Sequence, residues 1–279
     1  MSFNQDKNNN DDNDNNKGND NNDDNKDNDA DKQSNKRIQL YYSPRILPED
    51  LEPEEDQKTD AHRKSEVDMK RFIHAIVREE VDKFHQLLPY VNLNGTSSQN
   101  NRWTPLLWAI QKDRLFFIKE MFKTSQVIDF SKQMDHKMHR TALHFAAERG
   151  DLELVQLLLQ KDKEQQLSTK NPHIQLDINA KDREGSTALF RAAKIGAEDV
   201  IKVLLEFGAD PNIVNRDDIS PLVIAAHRGY LDVVDELLKY DQIDVNVQDS
   251  RGRTALMVAC SEDRKTVVRR LLKCQHIKL

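Results

Sequence analysis

Five segments of the chain share one short pattern: Thr or Ser, then Ala or Pro, then Leu, two variable residues and Ala. The copies occupy residues 104–109, 141–146, 187–192, 220–225 and 254–259, and their starts lie 37, 46, 33 and 34 residues apart. Self-similarity with a period of about 20 to 50 residues indicates stacked structural repeats. The chain is therefore expected to form a solenoid rather than to fold around one central core.

Each position of the pattern has a physical role in a pair of helices. The hydroxyl of Thr or Ser can cap a helix by accepting from an unpaired backbone N–H. Pro105 and Pro221 follow the cap, where the missing N–H of proline costs nothing. Nine residues after the cap the first helix should end in a left-handed residue, and these positions hold Gly150, Gly196, Gly229, Asp113 and Asp263. Apolar residues at helical spacing then predict a second helix.

This pattern resembles the ankyrin repeat, whose signature is Thr-Pro-Leu-His-x-Ala with a period of about 33 residues. The third copy continues the match through residues 204–212, Leu-Leu-Glu-Phe-Gly-Ala-Asp-Pro-Asn. The resemblance covers about residues 68–279. It implies an all-α solenoid of helix-turn-helix units joined by finger loops, and it implies that His144 hydrogen-bonds a neighbouring loop.

Six units are predicted: a capping unit at 68–101, and five full units at 102–138, 139–184, 185–217, 218–251 and 252–279. We number the full units first to fifth. The second unit has 13 residues too many, placed at 160–175, so either its second helix is longer or a loop protrudes. A tolerated surface insertion and a functional one both remain open.

The N-terminal part of the chain has a different composition. Residues 1–36 contain 13 Asn and 10 Asp, carry a net charge of -5, and are expected to be a disordered tail. Residues 37–67 have a net charge of -3 and three prolines, and are interpreted as an acidic linker. They begin with a short apolar patch around Pro44.

Several classes of function find no support in the sequence. No apolar run approaches the roughly 18 residues of a membrane helix, and no secretory signal is visible. Catalytic and phosphate-binding motifs are missing, so we expect no enzyme, no cofactor and no metal site. Two cysteines, of which Cys260 is expected to be a small buried residue, favour a reducing, cytoplasmic setting, and a nuclear location stays open.

The resemblance places a binding surface on the finger tips and on the exposed ends of the first helices. The 25 residues at these positions include ten Lys or Arg and four Asp or Glu, a net charge of +6. An acidic protein segment is the predicted partner, and residues 1–67 could compete for the surface within the same molecule. The predicted contact residues are Trp103, Lys112, Lys137, Met138, Arg140, Arg149, Arg183, Lys194, Ile195, Arg216, Ile219, Arg228, Arg251 and Arg253.

The function predicted is non-catalytic protein binding by a monomeric adaptor, scaffold or inhibitor. One alternative is that the chain is a fragment or the recruiting part of a larger enzyme or signalling assembly. Another is nucleic-acid binding through the basic groove, which the sequence pI of about 5.9 disfavours. Asn246 is a candidate for hydroxylation because Leu238, Asp244 and Val245 precede it as in modified ankyrin repeats.

Overall fold

The computed structural model describes residues 60–96, 102–169, 172–274 and 276–277. Its twelve α-helices in these residues belong to one compact unit. They are α1 Asp60–Arg78, α2 Val81–Leu87, α3 Pro105–Gln111, α4 Leu115–Lys123, α5 Ala142–Arg149, α6 Leu152–Thr169, α7 Ala188–Ile195, α8 Glu198–Glu206, α9 Pro221–Arg228, α10 Leu231–Leu237, α11 Ala255–Ser261 and α12 Lys265–Leu271. The predicted all-α repeat architecture is confirmed.

The predicted caps begin the first helix of every full unit. Thr104, Thr141, Thr187, Ser220 and Thr254 each accept a hydrogen bond from the backbone N–H three residues later. In the second unit the imidazole of His144 also bonds back to the N–H of Thr141, which completes a capping box. A short pattern in the sequence therefore fixes where five helices start.

The first helices end in left-handed residues, as the sequence predicted. Gly150, Gly196 and Gly229 have φ values of 68°, 82° and 79°. Asp113 and Asp263 adopt φ values of 58° and 52° in the first and fifth units. A residue with positive φ ends the helix and reverses the direction of the chain, so that each second helix can pack against the first.

The core lies between the helices and repeats along the stack. The inner helices α1, α3, α5, α7, α9 and α11 pack in order, and so do the outer helices α6, α8, α10 and α12. Small residues such as Ala146, Ala147, Ala192 and Ala193 are fully buried where inner helices meet. Each unit therefore depends on its neighbours for burial, which is the stabilising principle of a solenoid.

The boundary predicted at 67/68 is wrong, because it falls inside α1, which begins at Asp60. The amphipathic helix extends the capping unit by two further turns, with ion pairs such as Lys70–Glu66 along it. The tail at 1–36 and the linker before residue 60 lie outside the described residues.

The insertion in the second unit lengthens its helix. Helix α6 has 18 residues, whereas α8 in the third unit has nine. Gln165 is buried in the added part, and its side-chain amide makes two hydrogen bonds to the backbone of Ile128, from N–H to Oε1 at 2.8 Å and from Nε2 to C=O at 2.9 Å. Asp162 is also buried and accepts from the N–H of Leu176. The first of the two predicted alternatives is thus correct.

Among the described helices, none is long and apolar enough to cross a membrane. The same residues contain no group of three or more His, Cys, Asp or Glu side chains that could hold a metal ion.

Candidate protein-binding surface

Each finger loop is counted here with the inner helix that follows it, and on this count the finger loops of the second to fifth units join into one continuous edge. Backbone hydrogen bonds connect each finger to the next: Arg183 N–H to Met138 C=O at 2.7 Å, Arg216 N–H to Glu184 C=O at 3.0 Å, and Ser250 N–H to Asp217 C=O at 3.1 Å. These bonds join the backbone of the finger tips, and the side chain of Arg183 adds a hydrogen bond from Nη1 to the C=O of Lys137 at 3.3 Å. Neighbouring fingers are therefore held in a fixed register.

Each finger is also closed on itself by one polar side chain. Asp182, Asn215 and Asp249 each accept from the N–H groups two and four residues later. In the third unit, Gly185 at the turn has φ 77°, and a Cβ there would come within 2.9 Å of the backbone N of Arg216. This close approach to the next finger requires glycine.

Twelve of the fourteen predicted contact residues have exposed or half-exposed side chains. Lys137, Arg183, Arg216 and Arg251 lie at successive finger tips and are exposed. A second row of Lys112, Arg149, Lys194 and Arg228 lies at the ends of successive inner helices. The remaining four, Met138, Ile195, Ile219 and Arg253, are exposed to differing degrees. Whether they contact a partner remains a prediction.

The prediction of an exposed Trp103 is wrong, because its side chain is 1% exposed. Its Nε1–H donates to Asp135 at 3.2 Å, and its ring packs edge-on against Trp108 and Phe145. The residue immediately before the cap lies between one finger and the next. A large aromatic side chain at that position fills the space between the two fingers and is not available on the surface.

Arg140 occupies the same position before the cap, and its predicted exposure is wrong as well. Its side chain is 3% exposed, and Nη1 donates to Glu148 at 2.8 Å. Its Nε lies 4.0 Å from the buried carboxylate of Asp182. A guanidinium buried in this way interacts with carboxylates of its own chain and is not accessible to an acidic partner.

Arg191 joins this group, which we call the ionic cluster: Arg140, Glu148, Asp182, Glu184 and Arg191. The Arg191 guanidinium donates to Asp182 through Nε at 3.0 Å and to Glu184 at 2.8 Å. Burial by itself lowers the pKa of Arg191, but the carboxylates of Asp182, Glu148 and Glu184 outweigh it and raise that pKa above its ordinary value. The cluster joins the second unit to the third through buried charge.

The sequence interpretation missed Arg191, although a signal was present. Arg191 stands at the variable position of the repeat where Trp108, Phe145, Ile224 and Val258 stand in the other units. A single charged residue at an otherwise apolar repeat position indicates a buried, paired charge. Pairing it with a particular carboxylate required the three-dimensional structure.

The basic character of the surface survives the loss of Arg140. Arg140 and Glu148 pair with each other and are removed from the 25 surface positions. Nine basic and three acidic residues remain, so the net charge of these positions is still +6. Arg149 has a second role, since its guanidinium donates to the C=O of Gln111 at 3.0 Å at the end of α3. Arg253 is paired with Asp249 in its own finger at 2.8 Å. Within the described residues, Lys112, Lys137, Lys194, Arg216 and Arg251 form no ion pair.

Three other residues singled out in the sequence are placed by the structure. The Nε2 of His144 lies 2.9 Å from the C=O of Ser186 in the next finger, the loop contact that the resemblance implied. The side-chain amide of Asn246 donates to the C=O of His276 at 2.8 Å, so it holds the chain beyond α12. Cys260 is exposed, which contradicts the expectation that it is buried.

Comparison with known proteins gives a family match over most of the chain. The family model for ankyrin repeats (3 copies) matches residues 58–171, 126–215, 165–249 and 200–279. Ankyrin repeats are generally non-catalytic protein-interaction modules with extended concave binding surfaces.

The relatives of this chain are proteins of very different kinds. The human transient receptor potential cation channel subfamily A member 1 is 30% identical over 149 residues, 52% of this chain. The ankyrin repeat-containing protein ITN1 of Arabidopsis thaliana is 36% identical over 40% of this chain, and the palmitoyltransferase AKR1 of Lachancea kluyveri is 28% identical over 59%. The aligned parts span only 12%, 21% and 21% of these relatives' lengths. The repeat pattern, the helix pairs and the family match together show that this chain belongs to the ankyrin-repeat family.

Proposed function

We propose that the chain is a non-catalytic adaptor, scaffold or inhibitor that binds a protein partner along its fingers and inner-helix ends. The observation that carries the proposal is the double row of basic side chains, with one exposed Lys or Arg at each of four successive finger tips. The second row adds one such residue per inner helix from α3 to α9. A partner that lies across several units would meet a positive side chain at each of them.

An acidic segment is the partner chemistry that this surface fits best. The surface carries +6, whereas residues 68–279 as a whole carry +2, so positive charge is concentrated there. Complementary charge accelerates association and selects the partner's sign. The apolar side chains of Ile195 and Ile219 lie among the charges and would supply the contacts that slow dissociation.

The test is affinity capture from a native cell lysate by the full chain and two charge-matched variants. The finger variant carries Lys137→Glu, Arg183→Glu and Arg216→Glu. The control variant carries Lys64→Glu, Lys163→Glu and Lys202→Glu, three exposed lysines that form no ion pair with any described residue. Proteins captured by the wild type and by the control, but lost by the finger variant, support the proposal. Equal capture by all three proteins would refute it.

The competing role of the N-terminal segment is tested by deletion. Because α1 begins at Asp60, the deletion has to stop at residue 59 rather than at 67. If residues 1–59 occupy the basic surface, a labelled acidic peptide will bind more tightly to the shortened chain than to the full chain. Unchanged affinity would exclude this competition.

A role as the recruiting part of a larger assembly is a second candidate. It is favoured by the length of the relatives, of which the aligned parts are a minor share. We also propose a cytoplasmic setting, since Cys260 and Cys274 are free thiols. Nuclease treatment of the lysate separates direct protein capture from capture through RNA or DNA.

A further inference from the structure

The last described unit exposes a surface that every earlier full unit covers. Met257 on α11 is 48% exposed, whereas its counterparts Leu107, His144, Phe190 and Val223 are buried against the following unit. Cys260 is exposed, whereas its counterparts Ile110, Ala147, Ala193 and Ala226 are fully buried. These positions normally carry the contact between one inner helix and the next.

Helix α12 continues the same surface. Leu272 is 51% exposed, whereas its counterparts Phe122, Leu159 and Leu205 are buried and Leu238 is half-buried. Val268 is half-exposed where Ile118, Val155, Ile201 and Val234 are buried. We call Met257, Cys260, Val268 and Leu272 the end face. No described residue packs over it as the neighbouring unit does elsewhere in the stack.

Exposed positive charge surrounds the end face. Arg269 and Lys273 directly follow Val268 and Leu272 in the sequence, and Arg251 lies at the tip of the same unit's finger; all three are exposed. None of the three forms an ion pair with a described residue, whereas the nearby Asp263 is paired with Lys265 and the carboxylate of Glu262 lies 3.5 Å from Nδ1 of His227. An occupant therefore needs apolar side chains accompanied by negative charge, which disfavours two end faces in contact with each other.

Residues 38–56 of this sequence have that chemistry. An apolar stretch that includes Ile38, Leu40, Tyr41, Tyr42, Ile46 and Leu47 is followed by six acidic residues between 49 and 56. With Arg45, the segment carries a net charge of -5. The segment lies outside the described residues.

The length of the chain excludes the same molecule's acidic run as the occupant. Glu49 is eleven residues before Asp60, so even a fully extended chain spans at most ~40 Å between them. The end face belongs to the fifth unit and α1 to the capping unit, and five spacings of about 8–10 Å between packed helices amount to ~40–50 Å. Asp56, at the other end of the run, is four residues before Asp60 and reaches at most ~14 Å from it. The acidic run as a whole can therefore reach an end face only on another molecule.

We propose that the end face binds residues 38–56 of a second copy of this chain. The contact is head-to-tail, so a pair of copies keeps one unoccupied segment and one unoccupied face, and association can continue along an open chain. This proposal replaces the expectation of a monomer with association that depends on concentration.

Sedimentation of the full chain tests this proposal. At low salt, the weight-average mass should rise above 32.4 kDa, the mass of one chain, as the concentration increases through the micromolar range. Raising the ionic strength to about 1 M, where the Debye length is about 3 Å, should lower that mass again. A constant mass of one chain at all concentrations would overturn the proposal.

Two variants remove one half of the contact each. Leu272→Asp places a charge on the end face, and the segment variant neutralises all six acids (Glu49→Gln, Asp50→Asn, Glu52→Gln, Glu54→Gln, Glu55→Gln, Asp56→Asn). Each variant alone should sediment as a single chain. Leu167→Asp, at a position that is 77% exposed on α6, is the matched control and should associate like the wild type.

Mixing the two variants provides a test that a folding defect cannot imitate. The Leu272→Asp chain keeps its segment and the segment variant keeps its face, so the mixture can form one such contact and no more. We expect a species of twice the single-chain mass and nothing larger. Failure of the mixture to associate, with circular dichroism showing both variants folded, would overturn the proposal, and so would association of the Leu272→Asp chain by itself.

Discussion

The junction between the second and third units and the finger of the fifth unit are built on the same repeat but satisfy their charges differently. At the former, Arg140 and Arg191 are each 3% exposed and share the carboxylates of Asp182 and Glu148. At the latter, Arg253 is 37% exposed and pairs with Asp249 of its own finger. The same residue type before a cap is thus a buried structural charge in one place and a half-exposed charge in another.

This difference teaches that the neighbouring unit decides what a repeat position does. Arg140 is enclosed because the next unit brings both a carboxylate, Asp182, and a second arginine on α7. Arg253 belongs to the fifth unit, and no described unit follows it to bring such a pair against it. The repeat pattern therefore gives the position of a side chain in its unit, and the adjoining unit gives its environment.

The comparison predicts a large difference in stability between two matched substitutions. Arg191→Met leaves the buried carboxylate of Asp182 without its closest charged partner, and removing one member of a buried ion pair costs about 3–5 kcal/mol. Arg253→Met removes a half-exposed pair, for which about 1 kcal/mol or less is expected. Urea unfolding followed by circular dichroism measures both. Equal losses would show that the ionic cluster contributes no more than a surface pair.

The junction of the second and third units should also respond to acid through His144. Burial lowers the pKa of His144 from 6.5 to about 4, so the unfolded chain binds this proton more readily than the folded chain does. The stability from neutral His144 is complete above pH 6.5 and is lost as the pH falls to about 4; it amounts to about 3 kcal/mol at most.

The measurement is the free energy of unfolding of the wild type and of His144→Gln between pH 8 and pH 4. Carboxylates titrate in the same range in both proteins, so the difference between the two curves isolates the imidazole. That difference should be constant above about pH 7 and shrink below about pH 6.5, because only the wild type loses the histidine contribution. Parallel curves over the whole range would contradict the assignment.

A smaller effect is expected where the lengthened helix α6 contacts the first unit. Gln165→Ala leaves the N–H and C=O of Ile128 buried without their partner, which costs about 1–3 kcal/mol. Gln160→Ala, on the same helix, removes only an exposed hydrogen bond to Glu164 and should be nearly neutral. Thermal or urea unfolding of the two variants distinguishes an anchored helix from a tolerated extension, for which both would be neutral.

Much of the fold was predictable because caps and helix ends are local. Thr141 with Gly150, and Ser220 with Gly229, mark both ends of a helix through hydrogen bonds and backbone angles that depend on a few neighbouring residues. The start of α1 was not predictable in this way. It has no capping pattern, and the boundary was drawn where the repeat pattern began rather than where the helix does.

The candidate surface was predictable in its position and less so in its members. The exposed rows of basic side chains follow from the repeat, because a finger tip faces away from both helices of its unit. Trp103 and Arg140 were assigned to the surface by the same rule and are buried, because the position before the cap faces the next finger. For Cys260 the opposite prediction was wrong. It was expected to be buried, but its burial would require a following unit, which the described residues do not supply.

The sequence by itself determined the helix pairs, their caps and their order, because each rests on interactions within about ten residues. Only the tertiary structure decided which charges are buried, that the insertion lengthens a helix anchored on Ile128, and that no described residue covers the end face. Those outcomes depend on contacts between residues about 30 or more positions apart, such as Arg140 with Asp182 and Gln165 with Ile128. A pattern within one unit contains no information on what the next unit places against it.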